Sequence, residues 1–394
     1  MPAPVKPLKL VLATVLVVSG FLIGRDRPAA NSPLIVHEWG TFTSVAGKDG
    51  AAVSWAPLSG TPDLPCFVDQ LAPQNVKLMP GLVRMETPVV YFYAERPLIA
   101  SVQVRFPEGW VTEWFPHAAR VRPGPPKPGV YSAFGSGQID WEDIRVGPGE
   151  SASLPSSQGP SRYYAARNTD SMLLAAGADR EKFLFYRGVG NFRVPLEPRF
   201  CATGKISLRN RYAETIPLAI VFENRGGTIG YRFVPNIAGA MEVDSPELTG
   251  TLSALQNRMV ESLIEFGLYR KEAAAMVDTW RDSWFEEGTR VFYITPRLTV
   301  DSVLPIAVTP HPSTLSRVFM GRVEMMAPWA QRAIATALEN GDIATLVQFN
   351  RFLDPFLAQA GLLDPAHWSA TAQRYVNEAH MSMAQNRASE NCVK

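Results

Sequence analysis

Cysteine and histidine are the scarce residues here, with three cysteines and five histidines in 394 positions. No C-x-x-C pair occurs, which excludes a zinc ribbon and a dithiol redox motif. No H-E-x-x-H occurs either. His37-Glu38 lacks the second histidine four residues on that would set two ligands on one helical face. The pattern G-x-S-x-G is missing, and Gly135-Ser136-Gly137 has no strand–turn–helix context around it. Gly188-Val189-Gly190 falls short of G-x-G-x-x-G and no helix follows. It reads as a turn anchored by Arg187, and no nucleotide site is expected. Excess charge is also missing. The 38 basic and 37 acidic residues leave a net +1, without the basic face that a nucleic-acid partner requires.

What is present describes an exported, core-forming chain. A hydrophobic fraction of 46% against 19% charged residues suits a globular protein, and the length exceeds one ordinary core. Lys6 and Lys9 precede an apolar run from Leu10 to Ile23, the n-region and h-region of a secretory signal. Cleavage after Ala30 gives a periplasmic or extracytoplasmic protein. If the leader is retained, residues 7–24 act as a membrane tether on the same side. Export changes how the cysteines read. Cys66 and Cys201 form a disulfide in an oxidising compartment, or both are buried thiols.

Along the chain, residues 31–326 read as a β-rich main domain. Short aromatic and β-branched runs such as Val89 to Tyr93, Ile99 to Phe106, Trp110 to Phe115 and Leu218 to Glu223 alternate with Gly/Pro turns. That punctuation predicts an antiparallel β-sandwich-like architecture. Arg122 to Gly129 and Ser151 to Ser161 read as loops. Within about 252–287 the period changes. Leu252, Leu255, Met259, Leu263 and Phe266 make one helical stripe, and Ala273, Val277, Trp280 and Trp284 make a second. Both helices are expected to pack on the sheet. Strands are expected at Arg290 to Thr295 and Val303 to Val308. Residues 327–386 then read as three helices. Pro328 starts the first, Asn340-Gly341 stops it, Asp342 caps the second to about Ala360, and Asp364-Pro365 caps the third. Residues 387–394 form a frayed tail. The fold class is therefore α+β.

The stretch from Ile35 to Val45 carries the densest chemistry, with His37, Glu38 and Trp39 side by side on an alternating strand. Gly40 marks a bulge or a close backbone approach. Adjacent residues of a strand point to opposite faces, so at most one of His37 and Glu38 belongs to any cluster. His117 with Glu113, and Glu86 before Thr87-Pro88, are the donors to look for. Two imidazoles and carboxylates suit zinc or iron, and a metal-dependent hydrolase on that set competes with a non-catalytic binding or assembly module. Acid pairs for glycoside hydrolysis, at Trp141-Glu142-Asp143 or Glu286-Glu287, are weaker candidates. No protein or glycan ligand is specified.

Four segments are shared with a wider group: His37 to Thr43, Glu86 to Tyr93, Phe185 to Gly190, and Trp284 to Arg290. On these HEWGTFT-, ETPVVYFY- and WFEEGTR-like phrases the chain resembles a family of exported bacterial proteins, uncharacterised in function, over roughly residues 35–330. The resemblance implies one shared architecture and assigns no activity, cofactor or catalytic residue.

Overall fold

The computed structural model describes residues 34–57, 64–71, 80–123, 135–147, 153–157, 161–361 and 369–385. The leader with its cleavage point and tether, most of the two Gly/Pro loops, the Asp364-Pro365 cap and the tail lie outside the described residues.

The alternation at the start of the chain becomes β1 (Leu34–Val45), at the centre of a nine-stranded sheet. Its other members are β2 (Asp69–Gln70), β3 (Val83–Ala94), β4 (Gly109–Phe115), β5 (Leu184–Gly190), β6 (Ile216–Arg225), β7 (Thr228–Ile237), β8 (Gly288–Ile294) and β9 (Thr314–Met325). The spatial order is β7-β6-β8-β9-β1-β3-β5-β4-β2. Pairing is antiparallel except between β1 and β9, which run parallel. At Gly40 the register of β1 on β3 shifts. A side chain there would also press on Phe319 and Pro88, so the glycine serves both bulge and close approach.

One face of this sheet is covered by two smaller sheets. Strands Leu98–Phe106, Arg120–Arg122, Gly137–Val146, Leu174–Ala176, Asp179–Glu181 and Ile306–Thr309 form the larger, and Leu196–Phe200, Ile206–Asn210 and Ala240–Val243 the smaller. Val36, Phe42, Val90 and Phe92 pack on Val102, Val104, Ile139 and Ile144 in the first interface. Val221, Val291 and Val323 pack on Leu196, Ile206 and Leu208 in the second. The opposite face carries helices α1 (Leu252–Glu265) and α2 (Arg270–Trp284). Their stripes, Leu255, Met259 and Leu263 then Met276, Trp280 and Trp284, bury against Trp39, Tyr91, Phe222 and Phe292. The chain is thus α+β, with packed sheets and helices on one outer face.

After β8 comes α3 (Arg297–Val303), so Val303 closes a helix rather than opening a strand. The strand that follows, Ile306–Thr309, belongs to the six-stranded sheet. Beyond β9 lie α4 (Pro328–Asn340), α5 (Ile343–Gln348), α6 (Leu353–Gln359) and α7 (Ala370–Gln385). Pro328 at the first position and Gly341 at φ 73° bound α4 as expected. The single helix expected from Asp342 to Ala360 is broken at Asn350, which takes φ 44°. The break keeps Phe349, Phe352 and Phe356 in the core while turning Arg351 onto the sheet. That core also holds Val45 and Trp55, so the helical segment shares its interior with the main sheet.

Gly188 to Gly190 lies inside β5, not in a turn. A side chain at Gly188 would collide with the Trp110 carbonyl of the next strand and with Phe106, and small residues let those elements close up.

Candidate functional site

His37 points to the helical face of the sheet, where its Nδ1 meets the Glu272 carboxylate at 2.8 Å. Glu272, in the first turn of α2, also accepts from the Tyr93 hydroxyl at 2.7 Å and from the Tyr269 N–H at 2.7 Å. A carboxylate only accepts, so Nδ1 is the donor in this contact. The Tyr269 ring lies 4.4 Å from the imidazole and is 45% exposed, so the group sits just below the surface. Burial, and then the Glu272 charge, push the Tyr93 phenol well up, so it remains a donor at neutral pH. The arrangement ties the start of α2 to β1. His37→Ala removes a charge-assisted donor from a fully buried carboxylate, and a loss of about 2 kcal/mol in urea unfolding is expected. A loss under about 0.5 kcal/mol would remove this account.

Glu38 takes the other face, as strand geometry requires. It accepts from the Tyr186 hydroxyl and from Arg317 on β9, whose Nη1 reaches Asp301 at 2.7 Å. Trp39 is a core side chain beside Tyr91. Arg187 donates to Thr87 Oγ1 at 3.2–3.3 Å and lies over the Phe185 ring. Glu113 accepts from Thr112 and stands opposite Arg187 in register. His117 is exposed and meets Asp69 at 2.9 Å. Between β1 and β4 lie β3 and β5. Three strand spacings separate His37 from His117, about 14 Å, whereas imidazole nitrogens sharing one ion sit at about 2.0–2.1 Å from it. The donor set His37, His117, Glu113 and Glu86 therefore does not converge on zinc or iron. Among the described residues no group of three His, Cys, Asp or Glu side chains is placed to hold a metal.

The other expected pairs also resolve. Cys66 is disulfide-bonded, but Cys201 is a free thiol facing Glu242, so the Cys66–Cys201 bridge does not form. Trp141 is buried and its Nε1 donates to the Pro116 carbonyl. Glu286 bonds Arg322, and Glu287 accepts from the Gly226 N–H, so both acids are held in place by protein groups.

Glu86 belongs to a buried ionic belt that runs across the sheet beneath the helices. Arg290 of β8 forks onto Glu324 of β9 at 2.9 Å and bonds the Trp284 and Glu286 carbonyls. Arg322 joins Glu324 at 2.9 Å, Glu286 at 2.8 Å and both oxygens of Ser283. On β3, Glu86 takes Thr43 Oγ1 at 2.8 Å, Arg84 at 3.3 Å and Arg351 from the helical segment. Burial opposes the Glu86 charge, but Arg351, Arg84 and Arg322 overcome it and hold its carboxyl down from 4.5 to about 2.

Compared with known protein families and with curated proteins, the chain matches none.

A concavity lies elsewhere among the described residues. A cleft of about 200 Å³ opens where the turn after β1, the strand Leu196–Phe200 and the helical segment meet. Lys48, Arg199, Gln331 and Gln359 supply its polar lining, with Phe200, Met325 and Met326 among its apolar walls. Gln359 Nε2 is buried with no hydrogen-bond partner, and neither Lys48 nor Arg199 forms an ion pair among the described residues. Nothing in the sequence marked these residues, because they come from three distant segments and each is ordinary in its own.

Proposed function

We propose that the chain is an exported, non-catalytic binding module of the cell envelope, and that its ligand occupies the cleft between the sheet and the helical segment. The observation that carries this reading is the polar lining of the cleft. Buried Glu38, Glu86, Glu181, Glu272 and Glu324 all meet donors inside the protein. At the cleft, two cations and a buried amide nitrogen have no such partners. Polar groups left open around an apolar-walled concavity are what a small-molecule site uses to orient its ligand. The leader and the balanced charge agree with export and with a partner other than nucleic acid.

Differential scanning fluorimetry of the full chain with sugars, amino acids, short fatty acids and phosphate esters tests the reading. A ligand that raises Tm should lose that effect in Gln331→Trp, which fills the mouth from the exposed side of α4. If no compound raises Tm, or the shift survives in Gln331→Trp, the cleft is not the site. N-terminal sequencing of the mature protein addresses export separately, since a start at Asn31 rules out the tether.

A further inference from the structure

We infer that the occupant of this cleft is a small organic anion, a carboxylate or phosphate ester on a short apolar body. The inference rests on the binding reading above and specifies its chemistry. Lys48 stands on a tight turn closed by Gly47 N–H to Ala51 O at 2.7 Å and Gly50 N–H to Gly47 O at 2.9 Å. The next residue, Asp49, is folded back onto its own turn and accepts from the Ala51 N–H at 3.1 Å. Gly50 takes φ +92° and lies against the Pro198 carbonyl, so the turn is seated on the strand that presents Arg199. Two cations from separate segments therefore flank one opening, and no aspartate or glutamate lines it.

A third source of positive potential comes from α4. This 13-residue helix begins at Pro328, its N-cap Ala327 supplies no side-chain acceptor, and Pro328 and Gln331 form part of the cleft wall. Pro328 carries no N–H and the Gln331 N–H already bonds the Ala327 carbonyl at 3.0 Å, so α4 acts on the cleft through its dipole, which favours an anion at this end. The buried Gln359 nitrogen adds a neutral donor with no acceptor. The polar side chains that line the cleft donate or are positive, apart from the amide oxygens of Gln331 and Gln359. Phe200, Met325, Met326, Pro198 and Pro328 give the remaining walls an apolar character suited to a hydrocarbon. A volume of about 200 Å³ is below the 300–1,000 Å³ of drug-sized sites, which sets the scale of the ligand. Like charges held around a concavity repel one another, and an anion between them relieves that repulsion while gaining two charge-assisted contacts.

Isothermal titration calorimetry on the full chain separates the alternatives, using hexanoate, hexyl phosphate, 1-hexanol and hexylammonium as probes. At least one anion is expected to bind tenfold or more tightly than 1-hexanol, with hexylammonium weakest. Whether hexanoate or hexyl phosphate is the tighter assigns the head group. Lys48→Glu/Arg199→Glu should abolish anion binding, and Lys48→Ala/Arg199→Ala should weaken it tenfold or more. Both residues are exposed, and unchanged Tm verifies folding of each variant. If 1-hexanol binds as tightly as the anions, or the charge-reversed variant binds them as before, the anion inference fails while a binding cleft stands. If no probe binds and Gln331→Trp changes nothing for any ligand, both readings fail.

Discussion

Glu86→Gln should lower stability by about 3–5 kcal/mol at pH 7, because it leaves buried arginine charge without its carboxylate. Glu86 is 1% exposed and serves Arg84 of its own strand and Arg351 of the helical segment together. Its effect should also depend on pH in a defined direction. The folded-state value of about 2 lies below the ordinary 4.5. Stability from this group is therefore fully present above about pH 4.5 and lost as pH falls toward 2. Each tenfold change in proton affinity is worth about 1.36 kcal/mol, so the pH-dependent part is about 3 kcal/mol. Other carboxylates titrate over the same range, and comparison with Glu86→Gln cancels them. The gap in urea unfolding free energy between wild type and variant should be widest near pH 6 and narrow by most of its size at pH 2.5. A gap that stays constant over that range would show that the Glu86 charge contributes nothing.

That belt also explains what the sequence showed and what it hid. The helical stripes ending at Trp284 are visible because apolar residues follow the geometry of a single buried face, and the strand at Leu34–Val45 is visible from its β-branched and aromatic residues although both its faces are buried. The parallel partner of β1 has no such signature. Thr314–Met325 carries Arg317, Arg322 and Glu324, which in a sequence resemble a solvated connection, yet all three are buried. Charges paired with strands far away in sequence cannot be distinguished locally from charges meeting water. The His37 site divides in the same way. Its placement on the face opposite Glu38 follows from strand geometry. Its partner, Glu272, is 235 residues away in a Lys-Glu-Ala-Ala-Ala stretch that reads as ordinary helix. The expected metal set failed for the same reason: residue type indicates what a side chain can ligate, while sheet order determines what it meets. Strands β3 and β5 intervene between His37 and His117.

Arg322→Ala is expected to cost about 3–5 kcal/mol and, beyond that, to loosen the helical segment selectively. Arg322 is fully buried, and its guanidinium serves Glu324, Glu286 and Ser283 while lying 5.0 Å from the Phe352 ring. Removing it leaves Glu324 with Arg290 alone, and leaves Phe352 with only the Arg351 guanidinium, also 5.0 Å from its ring. Phe352 belongs to the same core as Val45, Trp55 and Phe356. The loss thus falls at the contact between the sheet and α4–α6, the elements that contribute Gln331 and Gln359 to the cleft. Chymotrypsin should cut Arg322→Ala first within residues 327–361, at concentrations that leave wild type intact, since local opening is governed by the free energy of the weakest cooperative unit. Arg322→Lys keeps the charge but not the planar fork that serves three partners at once, so it should recover only a minor part of the loss. If Arg322→Ala unfolds within about 1 kcal/mol of wild type, or if Lys restores it fully, the belt does not hold the helical segment to the sheet. If cleavage begins instead among the strands, Arg322 supports the sheet alone, and the wall of the cleft rests on the hydrophobic contacts of Val45 and Trp55 with Phe352 and its neighbours.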